Sequence, residues 1–267
     1  MVLFFYNLAL MMALVASAPW WLWKTATTEK YREGLRQRLG RVPAWLASIS
    51  RQKPVIWLHA VSVGEVLAVS RLVSELDSRL SDFQVLVSTT TRTGQKLAQQ
   101  RFGAGRVFYC PLDLPWAVRA YLTAIRPRLL VLAETEFWPN LLDACYRRQT
   151  AVAVVNARIS DRSWPRYRML RRLWRPLLSR LSVVLAQTEV DAGRLRAIGC
   201  EAERVSVAGN LKFDVHAAQE AEATRLLKAL GADLRFVAAG STLEGEEAAL
   251  LEAWPQLLKA EPGLAMV

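Results

Sequence analysis

The chain has 267 residues, a formal net charge of +11 and 52% hydrophobic residues, with ten tryptophans. That length suffices for one large domain or two with a substantial core, and the basic surplus points to an anionic partner: nucleic acid, an acidic lipid surface or a phosphorylated substrate. Three widely separated cysteines (Cys110, Cys145, Cys200) and two histidines (His59, His216) form no metal or redox motif, so the plain reading is buried thiols in a reducing compartment.

Residues 1–23 are almost wholly apolar and carry no charge. A membrane span needs ~20 such residues, and Trp20, Trp21 and Trp23 have the character of an interfacial aromatic belt. Ala16-Ser17-Ala18 resembles a signal-peptide cleavage site, but no basic segment precedes it and Pro19 would follow the cut. Lys24, Lys30, Arg32, Arg36, Arg38 and Arg41 come next, which puts the body of the protein on the cytoplasmic side by the positive-inside rule. Pro19 leaves a shallow monotopic anchor as the alternative. Residues 24–52 read as a basic amphipathic connector, suited to anionic headgroups or to solvent.

From residue 53 the pattern alternates. Predicted strands at 55–58, 84–88, 107–109, 129–133, 152–155, 183–186 and 205–208 are interleaved with predicted helices at 66–80, 95–102, 116–124, 137–148, 166–181 and 190–198. Such alternation gives an α/β fold with a mainly parallel, doubly wound sheet. A helix at 219–230, a strand at 236–239, an acidic helix at 244–258 and a strand opening at 265 begin a second α/β unit. A strand that ends as it begins cannot complete a sheet, so that unit is expected to continue. The expected organisation is an anchor at 1–23, the connector at 24–52, an N-terminal domain at 53–214 and the start of a C-terminal domain at 215–267.

Strand after strand runs into a polar or acidic loop, at 59–65, 89–94, 134–136, 156–158, 187–189 and 210–214. In a parallel sheet those ends share one edge, where open α/β sheets bind ligands. That groups Glu65, Glu134, Arg158 and Lys212 around one cleft. The first loop, His59–Glu65, leads into a helix whose free N–H groups favour anions, and a carboxylate at its mouth is suited to taking a proton from a hydroxyl. Ser62-x-x-Glu65 is equally a capping box, and on spacing alone that role has the stronger claim. Glu134 follows an apolar strand, so partial desolvation would raise its pKa; a helix N-terminal acid is the plainer role for it, and for Glu136. His59 reads as a structural loop residue, while Ser62 and Gly64 shape the loop and allow close approach.

The stretch 158–180 carries Arg158, Arg162, Arg166, Arg168, Arg171, Arg172, Arg175 and Arg180 against Asp161 alone. Arginine forks match phosphate geometry, although a solvated helix face accounts for several of them. The aromatic residues lie mostly in the anchor and in apolar segments, not in an exposed stacking pattern, which argues against nucleic acid as the partner.

Four motifs stand in order on these loops: HAVSVGE (59–65), AETEFWPN (133–140), NARISDRS (156–163) and GNLKFD (209–214). Together with the apolar N-terminus they resemble the 3-deoxy-D-manno-octulosonic acid (Kdo) transferases of bacterial lipid A assembly. The resemblance implies a GT-B type glycosyltransferase of two domains on the cytoplasmic face of the bacterial inner membrane. The N-terminal domain would hold the lipid A precursor (lipid IVA), and the C-terminal domain, most of it beyond residue 267, the donor CMP-Kdo. It also implies inverting, metal-independent transfer without a cofactor. Glu65 is then the catalytic base, with Glu134 and Lys212 acting on the transition state. Because lipid A precursors carry two phosphates, Arg158, Arg168, Arg171 and Arg172 are assigned with Ser62 and Gly64 to the acceptor or to membrane headgroups. Two other readings stay open: a membrane glycosyltransferase using another activated sugar, and a non-catalytic anchored module that binds anionic lipid.

Overall fold

The structure, a computed structural model, describes residues 2–28, 32–49, 51–214, 222–231 and 234–267. The chain divides into two compact units, residues 1–215 and 216–267.

The first unit begins with helix α1, Val2–Thr27, which continues through Pro19 without ending there. Its stretch Leu3–Thr27 is long and apolar enough to cross a membrane, and Phe4, Phe5, Met12, Val15, Leu22 and Trp23 are exposed along it. Its first turns are tied to the domain. Tyr6 donates a hydrogen bond to Asp113 Oδ2 (2.9 Å), and the side-chain amides of Asn7 and Asn140 pair at 3.1 and 2.7 Å.

The described part of the connector is not one amphipathic helix lying on a surface. It forms two short helices, α2 (Leu35–Arg38) and α3 (Ala44–Ile49), that pack on the domain. The reason is apolar: Leu46 is fully buried, and Val42, Trp45 and Ile49 lean on the same core. Gly34, at φ 70°, lies so close to the Tyr109 ring that a Cβ would come within 2.3 Å of it. Gln37 accepts the Tyr109 N–H at 3.1 Å, and the Arg38 guanidinium lies 4.8 Å from the Tyr109 ring centre while donating to the Thr90 carbonyl.

The strands are β1 (Val55–His59), β2 (Gln84–Thr89), β3 (Val107–Tyr109), β4 (Pro127–Ala133), β5 (Ala151–Ala157), β6 (Val183–Ala186) and β7 (Val205–Val207). They form an all-parallel sheet in the order β3-β2-β1-β4-β5-β6-β7. The alternation of side chains along each strand feeds two apolar layers. Ile56 and Leu58 join Val85, Val87, Val131 and Val155 on one face. Trp57 joins Leu86, Phe108, Leu130, Leu132 and Val152 on the other. Helices α4 (Val63–Arg79) and α5 (Arg92–Phe102) cover the first face; α6 (Pro115–Ile125), α7 (Pro139–Arg147) and α10 (Glu189–Ile198) cover the second.

The predicted helix 166–181 is in fact two, α8 (Trp164–Met169) and α9 (Arg171–Leu178). The break at Leu170 turns the chain so that Tyr167 and Trp174 both pack on Phe137, with ring centres 6.3 and 6.2 Å away. His59 is likewise not a loop residue but the last residue of β1, paired in register with Ser88.

The second unit contains helix α11 (Glu222–Leu230), strand β8 (Arg235–Val237), helix α12 (Glu246–Ala260) and strand β9 (Leu264–Met266). β8 and β9 pair in parallel around α12, a β-α-β arrangement. The start of the predicted helix at 219–230 and His216 lie outside the described residues.

Candidate active site

The strand order fixes where a ligand can bind. β1 has β2 on one side and β4 on the other, so the chain changes direction across the sheet between β1 and β4. In open α/β sheets the crevice at the carboxyl ends of such strands is the binding site. The loop after β1 ends at Ser62, the first turn of α4 carries Gly64 and Glu65, and the loop after β4 carries Glu134 and Glu136.

Ser62 is the N-cap of α4. Its Oγ accepts the Glu65 N–H at 3.4 Å and donates to Glu65 Oε1 at 2.9 Å, while Glu65 Oε2 accepts the Val61 N–H at 2.8 Å. The Ser62 half of the capping motif read from the sequence is formed, while the Glu65 carboxylate reaches past the N-cap to the Val61 N–H instead of the Ser62 N–H. Glu65 is only 7% exposed. Burial raises its pKa above the ordinary glutamate value, the two hydrogen bonds oppose that, and the charges of Glu134 and Glu136 raise it further. A more basic carboxylate held in a fixed rotamer is suited to accept a proton. Gly64 has open space where a side chain would stand: the nearest atom to an added Cβ is Ser62 Oγ, at 3.9 Å.

Glu134 is half-buried with a left-handed backbone, φ 57°, its N–H bonded to the Val155 carbonyl at 2.9 Å. Glu136 is held by the indole N–H of Trp138 at 3.1 Å, and burial raises its carboxyl pKa. Neither caps α7. Asp113, from the loop before α6, does that instead: its two oxygens accept the N–H groups of Asn140 and Leu141 at 2.9 and 2.8 Å. Glu134 and Glu136 precede α7, whose first turn contains no acid, and they stand on the loop after β4.

The loops after β5 and β7 close in from the other side. Arg158 is exposed, and its carbonyl accepts the Thr135 hydroxyl at 2.9 Å, which joins its loop to that of Glu134. Asn156, also left-handed at φ 56° and buried, accepts the Leu211 N–H on Oδ1 at 3.1 Å. That bond ties the short 3-10 turn Leu211–Asp214 to the sheet edge and sets Lys212, exposed, beside the crevice. His59 is fully buried, with Nδ1 2.9 Å from Ser88 Oγ; burial pulls its pKa down to about 4, so the ring is neutral at physiological pH. It supports the site from beneath.

The structure thus brings Ser62, Gly64, Glu65, Glu134, Arg158 and Lys212 to one sheet edge. Arg168 is exposed on α8, next to the Phe137 cluster. Arg171 and Arg172 line a different concavity, at the far end of α10. Asp113, Asn156 and Gly94 escaped sequence reasoning. A side chain at Gly94 would meet Val61 O at 3.2 Å and Ser62 C at 3.3 Å, so that glycine lets the β2 loop press against the Glu65 loop. Asn156 stood in a quoted motif; nothing local marked the partners of Asp113 or Gly94.

Solved structures show the fold class. A putative UDP-N-acetylglucosamine 2-epimerase from Listeria monocytogenes superposes with a TM-score of 0.53 at 17% identity, over 80% of this chain and 61% of its own. A further UDP-N-acetylglucosamine 2-epimerase gives 0.51 at 14% identity, over 80% and 63%. These likenesses establish a GT-B-like domain. A family profile described as 3-deoxy-D-manno-octulosonic-acid transferase (kdotransferase) matches residues 33–215, and the chain belongs to that glycosyltransferase family. The 3-deoxy-D-manno-octulosonic acid transferase of Bordetella pertussis is 37% identical over 258 residues, 91% of this chain and 58% of the relative. That of Haemophilus influenzae is 30% identical over 247 residues, 89% and 56%. A bifunctional glycosyltransferase/methyltransferase of Fusobacterium nucleatum is 33% identical over 259 residues, 94% and 39%. The chain spans less than two thirds of the length of each of these relatives.

Proposed function

We propose that the chain supplies the acceptor side of a Kdo transferase that moves Kdo from CMP-Kdo to a lipid A precursor at the cytoplasmic face of the bacterial inner membrane. The observation that carries this reading is Glu65: a buried, oriented carboxylate of raised basicity at the β1/β4 crevice, on one edge with Glu134, Arg158 and Lys212. A sugar hydroxyl is a poor nucleophile at neutral pH, and a positioned base contributes about 10²–10⁴-fold. Glu65 takes the acceptor O–H proton as that oxygen bonds to the anomeric carbon of Kdo. The bond from that carbon to the CMP phosphate oxygen breaks, and CMP leaves with its electron pair. Base and leaving group on opposite faces of the carbon give inversion, as in inverting glycosidases. Lys212 offsets negative charge on the departing phosphate or the Kdo carboxylate, a preorganised electrostatic role. Glu134 hydrogen-bonds the reacting sugar. Gly64 leaves room for the acceptor, Ser62 holds Glu65, and Arg158 and Arg168 face an acceptor phosphate.

The test is transfer by the full-length protein in detergent or nanodiscs. CMP-Kdo is offered against a panel of other activated sugars with lipid IVA as acceptor, and the anomeric configuration of the product is read by NMR. Kdo addition with inverted configuration is expected. Transfer of a different sugar, or product of retained configuration, would overturn the assignment.

A further inference from the structure

A lysine carries its charge on a flexible four-carbon stem, so what it can reach depends on where its main chain is held. Lys212 is exposed, and among the described residues its ammonium group has no ion pair. Its backbone is fixed instead. Asn210 Oδ1 accepts the Lys212 N–H at 3.0 Å, a local turn contact. Two further bonds come from distant parts of the chain. Asn156 Oδ1 accepts the N–H of Leu211, 55 positions on, at 3.1 Å, and the Arg71 guanidinium donates to the Asp214 carbonyl at 3.4 Å. The 3-10 turn Leu211–Asp214 is thus gripped at its first and last residues.

An irregularity in the sheet aims the first grip. β5 pairs with β6 through Val154 and Val184, then through Ala157 and Ala186, so Val155 and Asn156 stand opposite Leu185 alone. Such a bulge re-aims a side chain and is frequent beside active sites. It holds Asn156 in the left-handed region, which asparagine tolerates better than most residues with a side chain. The Asn156 carbonyl accepts the Gln187 side-chain amide at 3.2 Å, which supports the bulge from the end of β6. Asn156 Nδ2 is buried with no partner among the described residues. What asparagine supplies here is therefore an acceptor on a left-handed backbone, not a donor.

The second grip ties the turn to the helix that carries Glu65. Arg71 lies on α4 about 9 Å along the axis from Glu65. Leu211 packs against the apolar layer that includes Val66, Val69 and Val73 of the same helix. One helix thus holds the carboxylate and bears on the turn of Lys212.

We propose that Asn156 and Arg71 are positioning residues: they fix the Lys212 main chain relative to Glu65, so that the ammonium group meets the charge that develops as the acceptor hydroxyl is deprotonated. That role rests on the one proposed for Lys212, and both residues act through the lysine.

A double-mutant cycle on the full-length protein in detergent tests it, with transfer of Kdo from CMP-Kdo to lipid IVA as the readout. Asn156→Gly keeps the left-handed backbone and removes the acceptor. Alone it should lower kcat by about 10–10²-fold, as misplacement of a reacting group can, with KM for CMP-Kdo little changed. In protein that already carries Lys212→Gln, the same change should cost no more than about twofold, because the group it positions is gone. Unchanged kcat in Asn156→Gly, or losses that multiply in the double variant, would overturn the proposal and leave Asn156 a structural role alone. Lys212→Gln with wild-type kcat would instead overturn the role of the lysine, and the proposal with it. Arg71→Ala, at an exposed position of α4, takes nothing from the core and runs through the same cycle with the same expectation of non-multiplying losses. That arm decides the matter if Asn156→Gly fails to fold.

Discussion

Ser62 and Glu65 hold each other twice: the Ser62 hydroxyl donates to Glu65 Oε1 at 2.9 Å, and Ser62 Oγ accepts the Glu65 N–H at 3.4 Å. The helix cap and the proposed base are one structure. Stability and catalysis at this position can therefore be separated by choosing which partner to change.

Replacing Glu65 by Gln in the full-length protein should lower turnover by about 10²–10⁴-fold, the range for a lost general base. Gln accepts one of the two hydrogen bonds, so the stability cost should be one such bond, ~0.5–1.5 kcal/mol. Ser62→Ala should cost ~1 kcal/mol as a lost cap and reduce turnover less. Turnover and chemical denaturation on the same preparations decide it. A Glu65→Gln protein with wild-type turnover would pass the role of base to Glu134.

The charge of Glu136 raises the basicity of Glu65. The base must be deprotonated to act, so activity falls as the pH drops through its pKa. Glu136→Gln removes a negative neighbour and should move the acid limb of the kcat/KM profile to lower pH, while Gln still accepts from Trp138. An unmoved limb would show that the titrating group is not Glu65.

Two glycines should respond in opposite ways. Gly64→Ala, within the first turn of α4 and with open space around it, should stabilise the fold by about 0.5–1 kcal/mol. It should also raise KM for the lipid acceptor, because the methyl occupies the approach. Gly94→Ala drives a methyl to 2.7 Å from Thr91 Oγ1 and 3.2 Å from Val61 O. Overpacking of that kind costs about 1–3 kcal/mol, and turnover should fall with the displaced Glu65 loop. Thermal melts beside acceptor titrations read both.

Asp113→Ala strips the acceptor from the Asn140 and Leu141 N–H groups and from Tyr6 together. A buried donor left unsatisfied costs ~1–3 kcal/mol, so this variant should be markedly less stable. Tyr6→Phe loses a single hydrogen bond, ~0.5–1.5 kcal/mol, and should leave the α/β domain intact. Limited proteolysis at residues 24–52 should quicken in Asp113→Ala before it does in Tyr6→Phe.

The sheet was legible because each strand of the first unit is a short apolar run bounded by turn residues, and because a parallel strand covered on both faces is apolar without interruption, as residues 55–58 of β1 and the whole of β3 are. The crevice was legible for the same reason: parallel strands end on one edge, so Glu65, Glu134, Arg158 and Lys212 had to share it. Long-range partners left no local signal. Nothing in the residues around Asp113 says that it caps a helix starting at Pro139, and the basic connector read as a surface helix because its few apolar residues, Leu46 above all, lack a periodic pattern. The arginines of α8 and α9 looked alike in sequence. The break at Leu170 separates them, leaving Arg168 on α8 and Arg171 and Arg172 on α9 in a concavity shared with Arg196.

The bond between Tyr6 and Asp113 joins residues 107 positions apart. At synthesis rates of about 5–20 residues per second, roughly 5–20 s pass between the making of the two. For that interval α1 has no partner on its own chain for its apolar surface. If a bilayer receives it, the order of events is fixed by the ribosome. The helix settles first, Asp113 arrives later to lock it to α7, and β5, β6 and β7 are added to a domain already held at the membrane. The first unit is then assembled at the surface that received its first helix, with no stage at which a finished domain must search for that surface.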